Sequence, residues 1–386
     1  MKIIKFKSEE LLPSLAMVNA VVSQKGTLPI LSNVLIETKV TDNGNAFAIL
    51  TTSDTDTWLQ MKAPLIEAED GLVLCIDAKG FLQALNNLGG KLVTMSYDET
   101  KKIADCDYGN GHFTLPCVDG SEFPAPVFNQ ESAKKKQIDA KKLLVAIEKT
   151  EFVTSNDELR PVLSGVRVEF LADGMVVVGT DGHRLVKYKD KTITSESEAT
   201  DNAQQCGFTI PKKPCSTLLK VLGMAASGDV QVTFNANGFI VQNSQFKMFS
   251  KLIEGRYPNY DSVIPQDNDH IVTIPKADFV SALKRVAPMG NTTSELLVLS
   301  FSMGMMKVSA EDIDFSRSAQ EDVTCDYAQE EMKIGFKSSS LLQLIQNIST
   351  TNVKMMLKDA SRAGVLCEDS ENDAYEYISI LMPLLI

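Results

Sequence analysis

The hydrophobic and polar positions of this chain repeat one plan, in which a short alternating run passes directly into an amphipathic run. Alternation with a period of two is typical of a half-buried strand, and apolar residues three and four apart are typical of a helix that packs on one face. A residue that commonly caps or begins a helix stands at each junction. Three segments follow this plan, Ile3–Leu15, Gln137–Ile147 and Val272–Leu283, with Ser8, Asp139 and Pro275 at the junctions.

A second strand-to-helix segment follows each of these three. The helix anchors of the first set, Leu11, Leu143 and Phe279, lie 132 and 136 residues apart, which is close to a common domain size. The anchors of the second set lie 70, 75 and 62 residues further along, at Phe81, Leu218 and Leu341. Alternating strands come next, at Leu92–Tyr97, Asp229–Phe234 and Val353–Leu357. The pattern predicts an α+β chain of six strand–helix–strands units, paired into three repeated domains.

Two proline-rich stretches fall where such domains would meet. Pro116–Val127 and Ser250–Pro265 share a G-[SR]-x-[FY]-P element if a slip of one residue is allowed. Proline favours extended backbone in the residue before it, as in a linker between domains. We therefore expect domains at residues 1–130, 134–262 and 266–386.

The composition is that of a globular protein. Of 386 residues, 44% are hydrophobic and 23% are charged, and no apolar run approaches the ~20 residues that a membrane helix needs. The first residues, Met1–Lys7, alternate as a strand does and lack the apolar core of a signal peptide. Seven cysteines without a C-x-x-C pair fit reduced, scattered thiols. These features predict a cytoplasmic protein without a membrane partner.

The net charge of −12 argues against nucleic acid as a partner, but the lysines are not evenly placed. Five of the six predicted helices open with lysine, whereas the first opens with Ser8-Glu9-Glu10 and has Lys25 beyond its far end. Lysine is also an ordinary residue of solvated helices. If equivalent helices share one face, however, their lysines form a basic surface that holds a phosphate backbone without reading sequence. The helix-opening lysines are Lys79, Lys141, Lys142, Lys212, Lys213, Lys276 and Lys337.

No catalytic constellation can be assembled from the sequence. The three histidines, His112, His183 and His270, lie in different segments, and nucleotide-binding and hydrolase motifs are missing. The acidic pairs Asp54/Asp56 and Asp312/Asp314 are metal candidates, but such pairs are more often solvated loop residues. We expect no metal and no cofactor.

The stretch Val178–Asp190 stands out because an apolar strand ends in a cluster of polar residues. Its T-D-G-H-R-L run places a turn-forming Asp181-Gly182 beside His183 and Arg184. Loops on a rigid scaffold carry function. His183 beside Asp181 is half of an acid–base pair at first sight, but no nucleophile accompanies it. A docking loop is the interpretation that the rest of the chain favours.

Several runs of residues together resemble the bacterial sliding clamp, the beta subunit of the replicative DNA polymerase. The resemblance extends over the whole chain in order, and T-D-G-H-R-L with a methionine-proline C-terminus is its most specific part. The runs are T-L-P-I-L-S-N-V (Thr27–Val34), L-R-P-V-L-S-G-V (Leu159–Val166), T-D-G-H-R-L (Thr180–Leu185), G-R-Y-P-N-Y (Gly255–Tyr260) and M-P-L-L-I (Met382–Ile386).

The resemblance implies a non-catalytic processivity factor. Two copies joined head to tail would form a ring, with helices lining the hole and sheets outside, that encircles double-stranded DNA without sequence preference. It also implies a pocket between the second and third domains for peptides of the polymerase alpha subunit, the clamp-loader delta subunit and other partners. The pocket positions are Leu163, Thr180, Gly182, His183, Arg184, Leu185, Pro258, Val263, Ile380, Met382, Pro383 and Leu384.

Some positions depart from the family pattern. Ser262 and Leu385 stand where arginine is common, and Pro161, Val162 and Asp157 replace tyrosines and a glutamine near the DNA path. Lysines occupy positions where the family has basic residues, at Lys25, Lys212 and Lys213.

Two other hypotheses remain at this point. One makes T-D-G-H-R-L a hydrolytic or phosphate-handling site whose activity depends on His183. The other makes the chain a peptide-binding scaffold that never meets DNA, so that reversing the charge of Lys212 and Lys213 would change nothing.

Overall fold

The computed structural model of this chain describes residues 2–22, 28–129, 133–194, 207–224, 228–370 and 372–386. The helices of this part of the chain are α1 (Ser8–Asn19), α2 (Ala78–Asn86), α3 (Ala140–Glu151), α4 (Lys212–Met224), α5 (Lys276–Val286) and α6 (Ser338–Gln346). Each contains or directly follows one of the predicted strand-to-helix junctions. The prediction of six helices at these places is confirmed.

The strands are short and pair antiparallel. In chain order they are β1 (Lys2–Lys7), β2 (Asn33–Val40), β3 (Ala46–Ser53), β4 (Thr57–Leu65), β5 (Glu67–Ala68), β6 (Val73–Asp77), β7 (Leu92–Asp98), β8 (Ile103–Asp107), β9 (His112–Asp119), β10 (Lys134–Asp139), β11 (Gly165–Leu171), β12 (Gly174–Thr180), β13 (Arg184–Asp190), β14 (Gly207–Pro211), β15 (Asp229–Phe234), β16 (Gly238–Gln242), β17 (Phe246–Lys251), β18 (His270–Pro275), β19 (Leu296–Ser302), β20 (Met305–Asp312), β21 (Arg317–Thr324), β22 (Met332–Lys337), β23 (Asn352–Leu357), β24 (Gly364–Glu368) and β25 (Tyr375–Leu381).

The helix starts are capped by aspartate where aspartate is present. Asp77 Oδ2 accepts from the backbone N–H of Gly80 at 2.6 Å, and Asp139 Oδ1 accepts from Lys141 N–H at 2.8 Å. Such bonds satisfy amide groups that the first turn leaves free. The expectation that Ser8 caps α1 was wrong. Lys7 holds the cap position, and the Ser8 hydroxyl is buried without a hydrogen-bond partner in the described part of the chain.

The chain divides into two compact units. The first unit comprises residues 1–144 and 213–252. It contains one sheet of thirteen strands, in the order β10-β15-β16-β17-β4-β3-β2-β6-β9-β8-β7-β1-β5. Helices α1 and α2 pack together in this unit, and Phe6 meets Phe81 edge-to-face, with the ring centroids 6.4 Å apart. Both rings are fully buried, so they form part of the hydrophobic core.

The second unit comprises residues 145–212 and 253–386. Its larger sheet has eight strands in the order β14-β11-β12-β13-β25-β24-β23-β18, and its smaller sheet has the order β21-β20-β19-β22. Strand β13 pairs with β25, so that Leu185 lies opposite Ile380. This pairing joins residues far apart in sequence into one continuous sheet and positions the site described below.

These two units group the strands differently from the three domains expected from the sequence. Strands β10 and β15–β17 belong to the first unit, whereas β11–β14 of the same expected middle domain belong to the second. The cause is backbone pairing, because β17 extends the sheet through β4 and β13 extends the other through β25. The boundaries 1–130, 134–262 and 266–386 therefore stay a prediction.

Most of the cysteines of the described residues are buried. Burial raises the pKa of both Cys75 and Cys106 to about 12, so these thiols stay protonated near neutral pH. In the same part of the chain, no helix is long and apolar enough to cross a membrane.

Candidate functional site

The T-D-G-H-R-L run forms the tight connection between β12 and β13. The Asp181 N–H donates to the Arg184 carbonyl at 3.3 Å, and the Thr180 hydroxyl donates to the same carbonyl at 2.7 Å. Gly182 has a φ of +91°, a backbone conformation that favours glycine. The turn therefore depends on the residue types at these positions, and it fixes where the next side chains lie.

The Asp181 carboxylate organises this turn. Its Oδ1 accepts from the backbone N–H groups of His183 and Arg184, both at 2.9 Å, and its Oδ2 accepts from Arg184 Nε at 2.9 Å. Another guanidinium nitrogen of Arg184 donates to Gln343 Oε1 at 2.6 Å. Both oxygens of the Asp181 carboxylate thus accept hydrogen bonds from the backbone or from arginine, while the His183 imidazole lies exposed. This geometry does not support an acid–base pair of Asp181 and His183.

A cavity of about 240 Å³ lies beside the turn, within the second unit. Three parts of the chain form it: the β12–β13 hairpin, the segment after β17, and the end of β25. A short 3₁₀ helix, Pro161–Ser164, adds one apolar side chain. The lining residues are Leu163, Thr180, Gly182, His183, Arg184, Leu185, Pro258, Asn259, Tyr260, Val263, Ile380 and Met382.

The cavity has a buried apolar base and an accessible rim. Leu185 and Ile380 are 3% and 4% exposed, whereas Val263 and Met382 are 54% and 47% exposed. The Met382 N–H donates to the His183 carbonyl at 2.8 Å, which holds the end of the chain against the hairpin. An apolar cleft with polar groups at its edge is the usual form of a binding site.

Ten of the twelve predicted pocket residues line this cavity. The other two, Pro383 and Leu384, were expected in the pocket, but they do not line it. Leu384 turns away because its N–H donates to the Gly335 carbonyl at 2.8 Å, bridging to β22. Asn259 and Tyr260 line the cavity and were missed. The aromatic residue in the P-N-Y run was the available signal.

The positions that depart from the family pattern lie outside the cavity lining. The Ser262 hydroxyl donates to the Asn259 carbonyl at 2.7 Å, and Leu385 is 92% exposed. Asp157 accepts from Arg160 Nε at 2.8 Å. Pro161 and Val162 belong to the short 3₁₀ helix.

Four of the predicted DNA-binding lysines are exposed at helix starts, namely Lys79, Lys141, Lys213 and Lys337. Lys79 and Lys141 lie in the first turns of α2 and α3, and Lys337 holds the cap position of α6 with its Nζ 3.5 Å from Glu295. A cation at a helix N-terminus is disfavoured by the helix dipole, so helix stability does not explain these lysines. Lys142 is half-buried in the first turn of α3, and Lys25 lies outside the described residues.

Lys212, Lys213 and Lys276, like Lys337, have partners within the protein. Lys212 Nζ donates to Asn156 Oδ1 at 2.8 Å, and Lys213 forms an ion pair with Asp54. Lys276 Nζ donates to the carbonyls of Gln346, at 3.1 Å, and Ile348 at the C-terminal end of α6. Desolvation, followed by repulsion from Lys149, lowers the pKa of Lys276. Lys276 therefore already stabilises a helix end.

The acidic pairs considered as metal sites have other partners. Asp54 and Asp56 pair with Lys213 and Lys251, and Asp312 accepts from Arg317 at 3.0 Å. The described ranges contain no group of three or more acidic, histidine or cysteine side chains that could hold a metal ion.

Comparison with known protein families gives three consecutive matches. Residues 1–127, 137–259 and 261–383 match the N-terminal, central and C-terminal domains of the DNA polymerase III beta subunit. These matches define a DNA clamp with three α+β domains, which confirms the predicted fold class.

Individual relatives agree. The beta sliding clamp of Pseudomonas putida is 26% identical over 377 residues, covering 97% of this chain and 98% of the relative. The crystal structure of the sliding clamp from Pseudomonas aeruginosa bound to griselimycin superimposes with a TM-score of 0.90 at 25% identity, with both chains fully covered. The crystal structure of the sliding clamp from Bartonella birtlesii, also bound to griselimycin, superimposes with a TM-score of 0.88 at 28% identity, again with both chains fully covered.

The chain belongs to the DNA polymerase III beta subunit family, the bacterial beta sliding clamps. It is a processivity factor and a non-catalytic accessory subunit of the polymerase, which excludes the hydrolase hypothesis for T-D-G-H-R-L.

Proposed function

We propose that the cavity beside the β12–β13 hairpin binds a short extended peptide from partner proteins. The observation that carries this proposal is the convergence of the hairpin, the linker and the chain end on one apolar cavity. The partners would be the polymerase alpha subunit, the clamp-loader delta subunit and other proteins with such a peptide. Two relatives have crystal structures in complex with griselimycin, so clamps of this family bind ligands.

The lining suits apolar and aromatic anchors. Leu163, Leu185 and Ile380 give an apolar base, and a cavity of about 240 Å³ accommodates only a few side chains. Met382 at the rim is unbranched and adapts its shape, which suits a site that serves several partners in turn. The exposed His183 offers polar groups at the edge to a peptide side chain or backbone.

We propose further that two copies join head to tail into a ring that encircles duplex DNA. Closure of a heterologous contact makes such a ring. Topology would retain the DNA, so that weak, sequence-blind contacts allow sliding while the polymerase is held at high effective concentration. The net charge of −12 does not oppose this, since contacts would be confined to the inner face.

Lys79 and Lys141 are our first candidates for phosphate contact. They are exposed at helix N-termini, where amide groups and lysine together favour an anion. Lys212, Lys213, Lys276 and Lys337 have partners within the protein and would have to exchange them. Lys25 remains a candidate from the sequence. The clamp would act on DNA in the bacterial cytoplasm, with domains at 1–130, 134–262 and 266–386.

Retention on DNA tests the ring. The protein is loaded onto nicked circular duplex by a clamp loader with ATP, and the circle is then cut. Retention on the circle with loss after cutting supports encirclement, whereas equal retention on both forms means ordinary surface affinity.

Peptide binding tests the cavity. A synthetic peptide with a glutamine and apolar anchors should bind the wild type and bind Met382→Ala more weakly. Met303→Ala is a matched control, because Met303 is 81% exposed in the β19–β20 turn, outside the cavity lining. Equal loss in both variants would contradict the assignment.

A further inference from the structure

Strand β11 carries a buried ion pair behind the cavity. Arg167 and Glu169 lie two residues apart, with side chains 7% and 5% exposed, and Arg167 Nε is 2.9 Å from Glu169 Oε1. Removing two charges from water is costly, and apolar residues often give equal stability in their place. The pair therefore calls for an explanation beyond stability.

The second carboxylate oxygen of Glu169 reaches the wall of the cavity. The Tyr260 hydroxyl donates to Glu169 Oε2 at 2.6 Å, and Tyr260 is 8% exposed. Burial, together with the carboxylate, raises the pKa of Tyr260, so the phenol keeps its proton and remains a donor. A hydrogen bond to a charged acceptor in a dry environment is among the stronger ones.

Tyr260 fixes the linker segment that contributes to the cavity. Pro258 and Val263 lie on either side of it in sequence, and the Val263 N–H donates to the Tyr260 carbonyl at 3.3 Å. The same segment is also held by an ion pair between Lys187 Nζ and Asp261, 2.6 Å apart, but the Asp261 side chain is 61% exposed. Solvent weakens such an exposed pair. The buried phenol–carboxylate bond is thus the firmer restraint on this wall.

We propose that Glu169, itself oriented by Arg167, is a positioning residue for peptide binding that acts through Tyr260. It touches no peptide; it keeps Tyr260, and with it Pro258 and Val263, in the arrangement that the peptide requires. The proposal rests on the proposed function of the cavity.

The kinetics of binding distinguish this role from direct contact. Without the Tyr260–Glu169 hydrogen bond, the linker segment that forms this wall adopts the binding arrangement only part of the time. The apparent affinity for the peptide falls by that fraction. A bound peptide would itself hold the wall in place. Loss of the restraint should therefore slow association and leave dissociation almost unchanged.

Tyr260→Phe is the cleanest test, because it removes one hydroxyl and keeps the ring and the ion pair. We expect the association rate constant to fall about 10- to 100-fold, the range that corresponds to loss of a hydrogen bond to a charged group. The dissociation rate constant should stay within about twofold. Tyr257→Phe is the matched control, since its hydroxyl makes a long hydrogen bond to the Val178 carbonyl at 3.4 Å and Tyr257 does not line the cavity.

A second pair of variants tests Glu169 itself. Glu169→Gln keeps an oxygen acceptor for Tyr260 and should retain more of the association rate than Glu169→Ala. Thermal denaturation of each variant separates this effect from unfolding.

The outcomes separate the two proposals. Association by Tyr260→Phe at the wild-type rate, or equal slowing in Tyr257→Phe, overturns the positioning role alone. If the wild type fails to bind the peptide, or Met382→Ala binds as well as wild type, the cavity assignment fails and the positioning role fails with it.

Discussion

The backbone N–H of Met382 donates to the carbonyl of His183 at 2.8 Å, although 199 positions of sequence separate the two residues. The bond continues the β13–β25 ladder by one step beyond Arg184 opposite Leu381. It brings the methionine near the chain end to the mouth of a cavity whose other wall is a hairpin turn. The cavity therefore exists only when these two strands pair.

Met382→Ala should weaken peptide binding by about 1–2 kcal/mol, since it removes an anchor at the rim of the cavity. Leu384→Ala should leave the affinity within about twofold, because Leu384 lies outside the cavity lining. Fluorescence anisotropy of a labelled peptide measures both. A larger loss for Leu384→Ala than for Met382→Ala would contradict the observed course of the C-terminus.

Gly182→Ala should destabilise the hairpin by about 1–2 kcal/mol, because alanine is strained in left-handed backbone. An added Cβ would also lie 3.1 Å from an Arg160 guanidinium nitrogen. The melting temperature, measured by thermal denaturation, and the affinity for the peptide should both decrease. Gly223→Ala is the control: this helical glycine has open space around it, and alanine should stabilise α4 by up to about 1 kcal/mol.

Replacing Lys79 and Lys141 with alanine should weaken DNA contact most at low salt and make it less dependent on salt. Thermal stability should not change, because both side chains are exposed. Lys276→Ala should lower thermal stability instead, since it leaves carbonyls at the end of α6 without their donor. The measurements are the salt dependence of clamp binding to short linear duplex, on which topology does not retain the ring, and the melting temperature. Reversed behaviour of the two sets would refute these assignments.

Acid should weaken the second unit through Glu368. Burial opposes ionisation of this carboxyl, but hydrogen bonds from Tyr375, Ser349 and Lys149 outweigh burial and lower its pKa. A carboxylate with a lowered pKa contributes stability that is present above its unfolded pKa and is lost as pH falls through the folded value. Glu368→Gln should therefore lose less stability than wild type as the pH is lowered from about 6 to below 4, the range of glutamate titration. Parallel melting curves across this range would contradict the role of Glu368.

The helices were predictable because their signals are local. Apolar spacing, an aspartate before the first turn and lysines inside it lie within one short window, so α2 and α3 appear where the sequence places them. The prediction that Ser8 caps α1 was wrong because β1 extends to Lys7, directly before the helix, so Ser8 is already the first residue of α1. All twelve predicted pocket positions came from the resemblance to the clamp family, and ten of them line the cavity, since no local pattern joins the segments that form it.

What the sequence by itself determined is the repeated α+β plan, the places of the six helices with lysine at or beside the start of five of them, and the family. Tertiary structure decided which side chains meet. Tyr260 donates a hydrogen bond to Glu169, 91 positions earlier in the sequence. Leu384 pairs with Gly335 and does not line the cavity. Both contacts join segments that are far apart in the sequence. The free energy of such contacts comes from burial and hydrogen bonding between segments that no short window of sequence contains.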